Sequence, residues 1–377
     1  MSDSLFEHDK DSVVVSSRSA QEFLSKLSDV RLDQRNTVQV AIVFSRAPID
    51  EILLEFSQVG DTSLSLSAED RSEVYPVRYH HLRRSFGRKR RLEVSGSFVT
   101  VKTDQPNVWL LAMVAPTPFW TEGVAKLLDR LHPHVVRPFF TQREMGSFVR
   151  TFEERAVPNV ARIVRISGRE KLRAPESRRK YEASLRWTDT DIETALHEAS
   201  ENNLLFRNLA IEIVSLKDGH LSGEGPRGTI SREGYVSCNG SFRLFYEAVI
   251  FPMTGLAQRR LDFFSNRERH ARASEQLKPI KIKYDRDIFS AREQVHRLLE
   301  VMKRFKHGSC SVLHGNPYIH VSIVDNYDFS AADIWVVNRD DILIVPQIKT
   351  SEAALKRIVN HIFENFREGQ LGEYTSS

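Results

Sequence analysis

Ala332 to Phe366 reads ADIWVVNRDDILIVPQIKTSEAALKRIVNHIFENF, and its order of elements decides the fold class. Asp333 opens the apolar run Ile334-Trp335-Val336-Val337, a strand-like mix of β-branched and aromatic residues. A polar turn follows at Asn338-Arg339-Asp340-Asp341, and a second run, Ile342 to Val345, leads into Pro346-Gln347-Ile348-Lys349. Ser351 to Phe366 carries apolar residues at helical spacing, and Gly369 is a C-terminal stop. The reading is strand, turn, strand, helix, with a frayed tail after Gly369.

Worked outward, the order strand, helix, several strands, helix recurs along the chain. One stretch has strands at Val38–Phe44, Glu73–Tyr79, Leu92–Thr103 and Val108–Ala115, with helices at Gln21–Leu27, Ile49–Phe56 and Phe119–Leu131. Ser12–Ser16 adds a short β-type run before them. A second has strands at Val160–Ser167, Phe206–Leu216, Thr229–Cys238 and Ser241–Glu247, with helices at Asp189–Asn202 and Val249–Arg272. The third has strands at Ile280–Tyr284, Cys310–Leu313 and Tyr318–Val324 before the hairpin, and a helix at Phe289–Phe305. Consecutive strands of this kind predict an α+β protein: two or three units of mainly antiparallel sheet with helices packed on one face. The expected divisions are 1–150, 151–275 and 276–377. Polar segments at Gly60–Arg71, Gly168–Lys180, Lys217–Arg227 and Arg267–Pro279 read as loops or linkers.

The 377 residues are 41% apolar, enough to bury real cores. Two cysteines, Cys238 and Cys310, cannot make a disulfide framework and read as buried small residues in a reducing, cytoplasmic setting. The N-terminus is polar, and no apolar run reaches the roughly 18–20 residues that span a bilayer, so no membrane association is expected.

The net charge is only +4, but 39 of the 54 basic residues are arginine, whose fork matches phosphate oxygens in two-point contacts. Two clusters concentrate them. Arg78 to Arg91 holds Arg78, Arg83, Arg84, Arg88, Lys89, Arg90 and Arg91, with Tyr79 and Phe86 among them and no acid. Arg155 to Arg186 holds ten cations, including Arg155, Arg162, Arg165, Arg169, Arg173, Arg178, Arg179, Lys180 and Arg186, against three acids. The rest of the chain is therefore slightly acidic. This asymmetry is the expected footprint of a nucleic-acid binder.

One spacing points to catalysis. A metal that activates water on a phosphodiester wants hard oxygen ligands, and a lysine two residues beyond the second ligand shares its strand face. Asp333, Gln347 and Lys349 have those types in that order. Over Phe289 to Phe366 the chain resembles the core of the PD-(D/E)xK nuclease superfamily, in the branch that carries Gln in place of Glu. The resemblance implies Asp333 and Gln347 as Mg2+ ligands, Lys349 as the catalytic lysine, an acid from the preceding helix at Glu293 or Glu300, and a host-defence role. His320-Val321-Ser322 puts a His/Ser pair on one strand face, as in two-histidine phosphoesterases, but the second copy, His220-Leu221-Ser222, lies in a Gly-rich turn; His80-His81 and His132-Pro133-His134 have no carboxylate or Cys partner at ligand spacing. No phosphate-binding loop or nucleophile elbow is present.

The leading expectation is a non-catalytic nucleic-acid-binding protein. It needs no cofactor and contacts phosphates through Arg78, Arg83, Arg84, Arg88, Lys89, Arg90, Arg91, Arg173, Arg178, Arg179 and Lys180. The alternatives are the metal-dependent nuclease and a non-catalytic subunit that sets its basic loops on an acidic partner protein.

Overall fold

Val38–Ser45 is apolar at six of eight positions and becomes a strand, β1, buried on both faces. The computed structural model describes residues 19–29, 37–56, 58–59, 62–66, 74–84, 91–114, 119–170, 182–188, 190–202, 204–217, 220–222, 225–270, 277–306, 308–315 and 318–374, with backbone alone for 58–97, 170, 182 and 215–222. Contacts group the described residues up to Gln258 into one unit and those from Arg259 into a second.

The first unit opens with helix α1 (Ala20–Asp29), β1 and helix α2 (Ile49–Glu55). Strands β2 (Gln58–Val59), β3 (Thr62–Leu66), β4 (Val74–Arg84), β5 (Arg91–Lys102) and β6 (Val108–Val114) follow. A π-helical turn, Phe119–Val124, runs into α3 (Ala125–Arg130), then β7 (Val135–Val136) and α4 (Gln142–Ala156). The unit continues through β8 (Val160–Glu170), β9 (Glu182–Arg186), α5 (Ile192–Glu201), β10 (Leu204–Lys217), β11 (His220–Ser222), β12 (Arg227–Ser231) and β13 (Tyr235–Cys238). Helix α6 (Phe242–Phe245), a π turn at Tyr246–Ile250 and α7 (Phe251–Ser265) close it, the unit boundary falling within α7.

These strands form one sheet in the order β2-β3-β4-β5-β6-β1-β13-β12-β10-β8-β9, with β7 on β1 and β11 on β10. The pairings are antiparallel. Strands from the stretches 1–150 and 151–275 thus share a sheet through β1 and β13. One face presents Val38, Val40, Val236, Ile230, Leu209, Ile211 and Ile163 in register. Helix α6 lies against that face: a Cβ on Gly228 would collide with the Phe245 ring. Phe245 in turn meets Phe152 of α4 with centroids 4.7 Å apart. On the other face Ala41, Val43, Trp109, Leu111 and Met113 pack with Ile49, Ile52 and Leu53 of α2 and with Trp120, Val124, Leu127 and Leu128. Helices therefore cover both faces where β1 and β6 lie, because β1 is apolar at both parities.

The second unit contains β14 (Ile280–Lys283), α8 (Arg292–Lys303), β15 (Gly308–His314), β16 (Ile319–Asp325), β17 (Ala331–Val336), β18 (Asp341–Pro346), α9 (Glu352–Asn365) and β19 (Gln370–Glu373). Its sheet runs β15-β16-β17-β18-β14-β19, antiparallel at each step. Ile319, Val321, Ile323, Ala332, Ile334, Ile342 and Ile344 are fully buried at alternating positions. Asp325, on the same face, bonds Arg357 of α9 at 2.7 Å, and His361 of α9 bonds the Val301 carbonyl of α8 at 2.8 Å. Both helices thus lie on that face. The α+β class and the mainly antiparallel sheets agree with the sequence reading, and the hairpin and helix of 332–366 fall where they were expected.

Several elements differ. Ser241–Glu247 is helical, not a strand: Ser241 caps Leu244 N, and Phe242 and Phe245 are buried one turn apart. Thr229–Cys238 is a tight hairpin that turns at Gly234, whose φ of 77° suits glycine. Helix α4 was not foreseen, although Thr141 and Glu144 form a capping box at its start. The expected loops 60–71 and 217–227 contain β3 and β11, and the tail after Gly369 is a strand paired with β14. Ser12–Ser16 lies outside the described residues. Cys238 is buried, and burial pushes its thiol up, but Cys310 is only half-buried. Among the described residues no helix is long and apolar enough to cross a membrane.

Two substitutions test this packing by chemical denaturation. Gly228→Ala, which also sets a Cβ 2.6 Å from the Ser237 carbonyl oxygen, is expected to cost about 1–3 kcal/mol. Asp325→Ala removes the buried carboxylate that Arg357 pairs with and is expected to cost about 3–5 kcal/mol. Wild-type stability in either variant would contradict the packing described.

Candidate nucleic-acid interface

Away from α2 and α3, the second face of the large sheet becomes polar. Thr229 and Ser237 stand opposite each other, as do Asn208 and Ser231, and Asn208 donates to Ser167 Oγ at 3.3 Å. The same parity carries arginine. Glu212 of β10 faces Arg162 of β8 on one side and Arg227 of β12 on the other. Arg162 Nε donates to Glu212 Oε1 at 2.5 Å, and its Nη1 donates to the Thr188 carbonyl at 2.5 Å. Arg227 Nε stands 2.5 Å from Oε2 as an ion pair. The Glu212 side chain is 3% exposed, whereas Arg162 and Arg227 keep 23% and 44% of theirs. A buried carboxylate is tolerable because two guanidiniums offset its charge, and each of them still reaches the surface.

A bulge adds more cations to this face. Ile163 pairs with Ile211 and Arg165 with Ala210, so Val164 is an extra residue and Arg162 and Arg165 point the same way. Arg165 is directly opposite Arg186 of β9. Both are exposed, and among the described residues neither side chain has an ion-pair or hydrogen-bond partner. Arg162, Arg165, Arg186 and Arg227 thus share the face with Glu212, and further along β8 and β9 Arg169 stands opposite Glu182 at the same parity. An aromatic that could stack on a base is engaged elsewhere: Tyr235 stacks on Trp120 at 4.4 Å, and burial pushes its hydroxyl up to about 12.

The expected basic residues distribute as follows. Arg78, Arg83 and Arg84 lie on β4 and Arg91 on β5, paired from Val74↔Val101 to Arg84↔Arg91. Arg78 to Arg84 and Arg91 are thus strand rather than loop, because the β-type run continues through Arg84; Arg88, Lys89 and Arg90 lie outside the described residues. Arg173, Arg178, Arg179 and Lys180 also lie outside them. Within the second cluster Arg155, at the end of α4, pairs with Glu247 at 3.2 Å. Sequence reasoning grouped Arg162, Arg165 and Arg186 by proximity but missed Arg227 and Glu212, which strand order alone brings to them.

The catalytic candidates sit on the second unit's sheet. Asp333 of β17 and Gln347 do meet: Gln347 Nε2 donates to Asp333 Oδ2 at 2.9 Å. His320 stands 3.2 Å from the same oxygen and stacks on Trp335 with centroids 3.6 Å apart. Lys349 does not share a strand face with Gln347, because β18 ends at Pro346; its carbonyl accepts from Ala331 N, and its side chain is exposed. Ser322, opposite Asp333, alternates with the buried residues that meet the helices, so Asp333 points away from α8. Glu293 and Glu300, exposed on α8, are therefore on the other face. The donors around Asp333 are one carboxylate, one amide and one imidazole, with Oδ2 already shared. That set does not fit Mg2+, which binds through carboxylates, phosphates and water in octahedral geometry. Among the described residues no group of three or more His, Cys, Asp or Glu gathers to hold a metal ion.

No protein-family model matches the chain, and no curated protein matches it either.

Glu212→Gln leaves two guanidiniums facing a neutral amide. Because both retain solvent, the expected loss is about 1–3 kcal/mol by urea denaturation, and a variant as stable as wild type would contradict the shared ion pair.

Proposed function

We propose that the protein binds nucleic acid, without catalysing a reaction, through arginines displayed on the polar half of its large sheet. The observation that carries this reading is the gathering of Arg162, Arg165, Arg186 and Arg227 from three strands onto one face, where Glu212 pairs with Arg162 and Arg227 alone. A folded protein of net charge +4 has acids enough elsewhere to neutralise such a face, yet the face concentrates cations. The sheet's backbone ladder fixes where the arginine side chains start, and their planar forks match phosphate oxygens in two-point contacts. Arg78, Arg83 and Arg84 of β4 and Arg91 of β5 supply further cations within the same unit.

A fluorescent oligonucleotide tests the reading by anisotropy. Binding is expected at low ionic strength, with a log–log salt slope of about −2 to −3, as roughly three phosphate contacts require. Salt-independent binding, or none at low salt, would sink it. The nuclease alternative predicts Mg2+-dependent cleavage lost in Asp333→Ala; the expectation is no cleavage and unchanged oligonucleotide affinity in that variant.

A further inference from the structure

We infer that Arg165 and Arg186 form a single phosphodiester-binding fork that reads the nucleic-acid backbone and not its bases. The inference rests on the nucleic-acid reading above and names the atoms that would carry it. Side chains directly opposite on neighbouring antiparallel strands have Cβ atoms roughly 5 Å apart, close enough for two guanidiniums to grip one phosphate. Without an anion, the same proximity is unfavourable, because like charges directly opposite destabilise a strand pair. The arrangement persists with neither arginine paired among the described residues, although Glu212 in the adjoining strand pair takes up Arg162 and Arg227. Those two are held by an acid; Arg165 and Arg186 are left for an oxyanion from outside.

The surroundings fit a phosphate more closely than a base. Ser184 and Ser167, one rung along on the same two strands, and Thr229 beyond Ala210 are small hydroxyl side chains. They leave the forks standing above the face and can donate to further phosphate or sugar oxygens. The aromatic of this face, Tyr235, is occupied by Trp120. Across β9, β8, β10 and β12 the arginines span roughly 14 Å, three strand spacings, so an extended backbone crossing the strands meets Arg186 and Arg165 together and Arg227 further on.

The test compares wild type with Arg165→Gln, Arg186→Gln and their double variant, read by anisotropy against fluorescent oligonucleotides of differing base composition. Each single change is expected to weaken binding by about tenfold, and the double by clearly less than a hundredfold, because both forks serve one phosphate. The salt slope should fall by about one, equally for every base composition. Thermal unfolding supplies a second reading: removing one of two opposed like charges should leave the melting temperature unchanged or raised, which a merely structural arginine would not do. Arg165→Lys and Arg186→Lys keep charge without the fork, and should retain the slope while losing affinity severalfold.

If wild type binds and the double glutamine variant binds equally well with the same slope, the fork is overturned while the nucleic-acid reading stands. If wild type does not bind at low salt, both fall. Displacement of the oligonucleotide by polyglutamate at lower concentration than by competing oligonucleotide would assign the face to an acidic partner protein and overturn the fork. Losses that differ strongly between base compositions would overturn the claim that bases are not read.

Discussion

The pairing of β1 with β13 holds the first unit together. Every residue of β1 is buried, one edge bonding to β6 and the other to β13. That second edge joins strands β2–β6 to the group β12, β10, β8 and β9. Its register also decides which side chains share a face. Val38 and Val40 align with Cys238 and Val236 toward the helices, and Gln39 and Ala41 align with Ser237 and Tyr235 on the other side. A slip of β13 by one residue would turn Val236 and Cys238 out of the face that holds Val38 and Val40, so their burial enforces the register. The arginines lie two strands or more away from β1, yet their direction is inherited from it.

The polar face is then a problem in electrostatics. A carboxylate as buried as Glu212 is stable only when its charge is offset, and Arg162 and Arg227 do so from both neighbouring strands. Two cations on one anion leave a positive excess at that point. The bulge at Val164 turns Arg165 to the same side, where Arg186 adds to the excess. Electrostatic stability alone would place an acid opposite Arg165. The fold instead keeps a cationic surface on a rigid ladder, the arrangement that binding an anion requires.

Much of the architecture was legible because local pattern and tertiary environment agree. Ile334 to Val345 sets two continuous apolar runs about a polar turn, and Ser351 stands before the last helix as its cap, so β17, β18 and α9 could be placed from sequence. Phe242 to Phe245 misled, since aromatic residues favour strands until a serine cap and helical burial override them. Helix α4 had a readable signal in Thr141 and Glu144, with Met145, Phe148, Val149 and Phe152 behind them. The arginine face was not legible. Glu212 lies 50 residues from Arg162, and only strand order and one bulge make them neighbours. Conversely, Asp333 and Gln347 do meet as their spacing suggested, but Pro346 ends the strand and the helix acids lie across the sheet. The pair reads as a hydrogen bond within a hairpin rather than a metal site.

The most direct test of the account is where an oligonucleotide shields the protein. Arginine-selective modification by phenylglyoxal, mapped by mass spectrometry with and without oligonucleotide, reads this at single residues. The account predicts protection of Arg165, Arg186 and Arg227, with weaker protection of the less exposed Arg162. Unchanged modification at these four positions, with protection confined to arginines of the second unit, would contradict it.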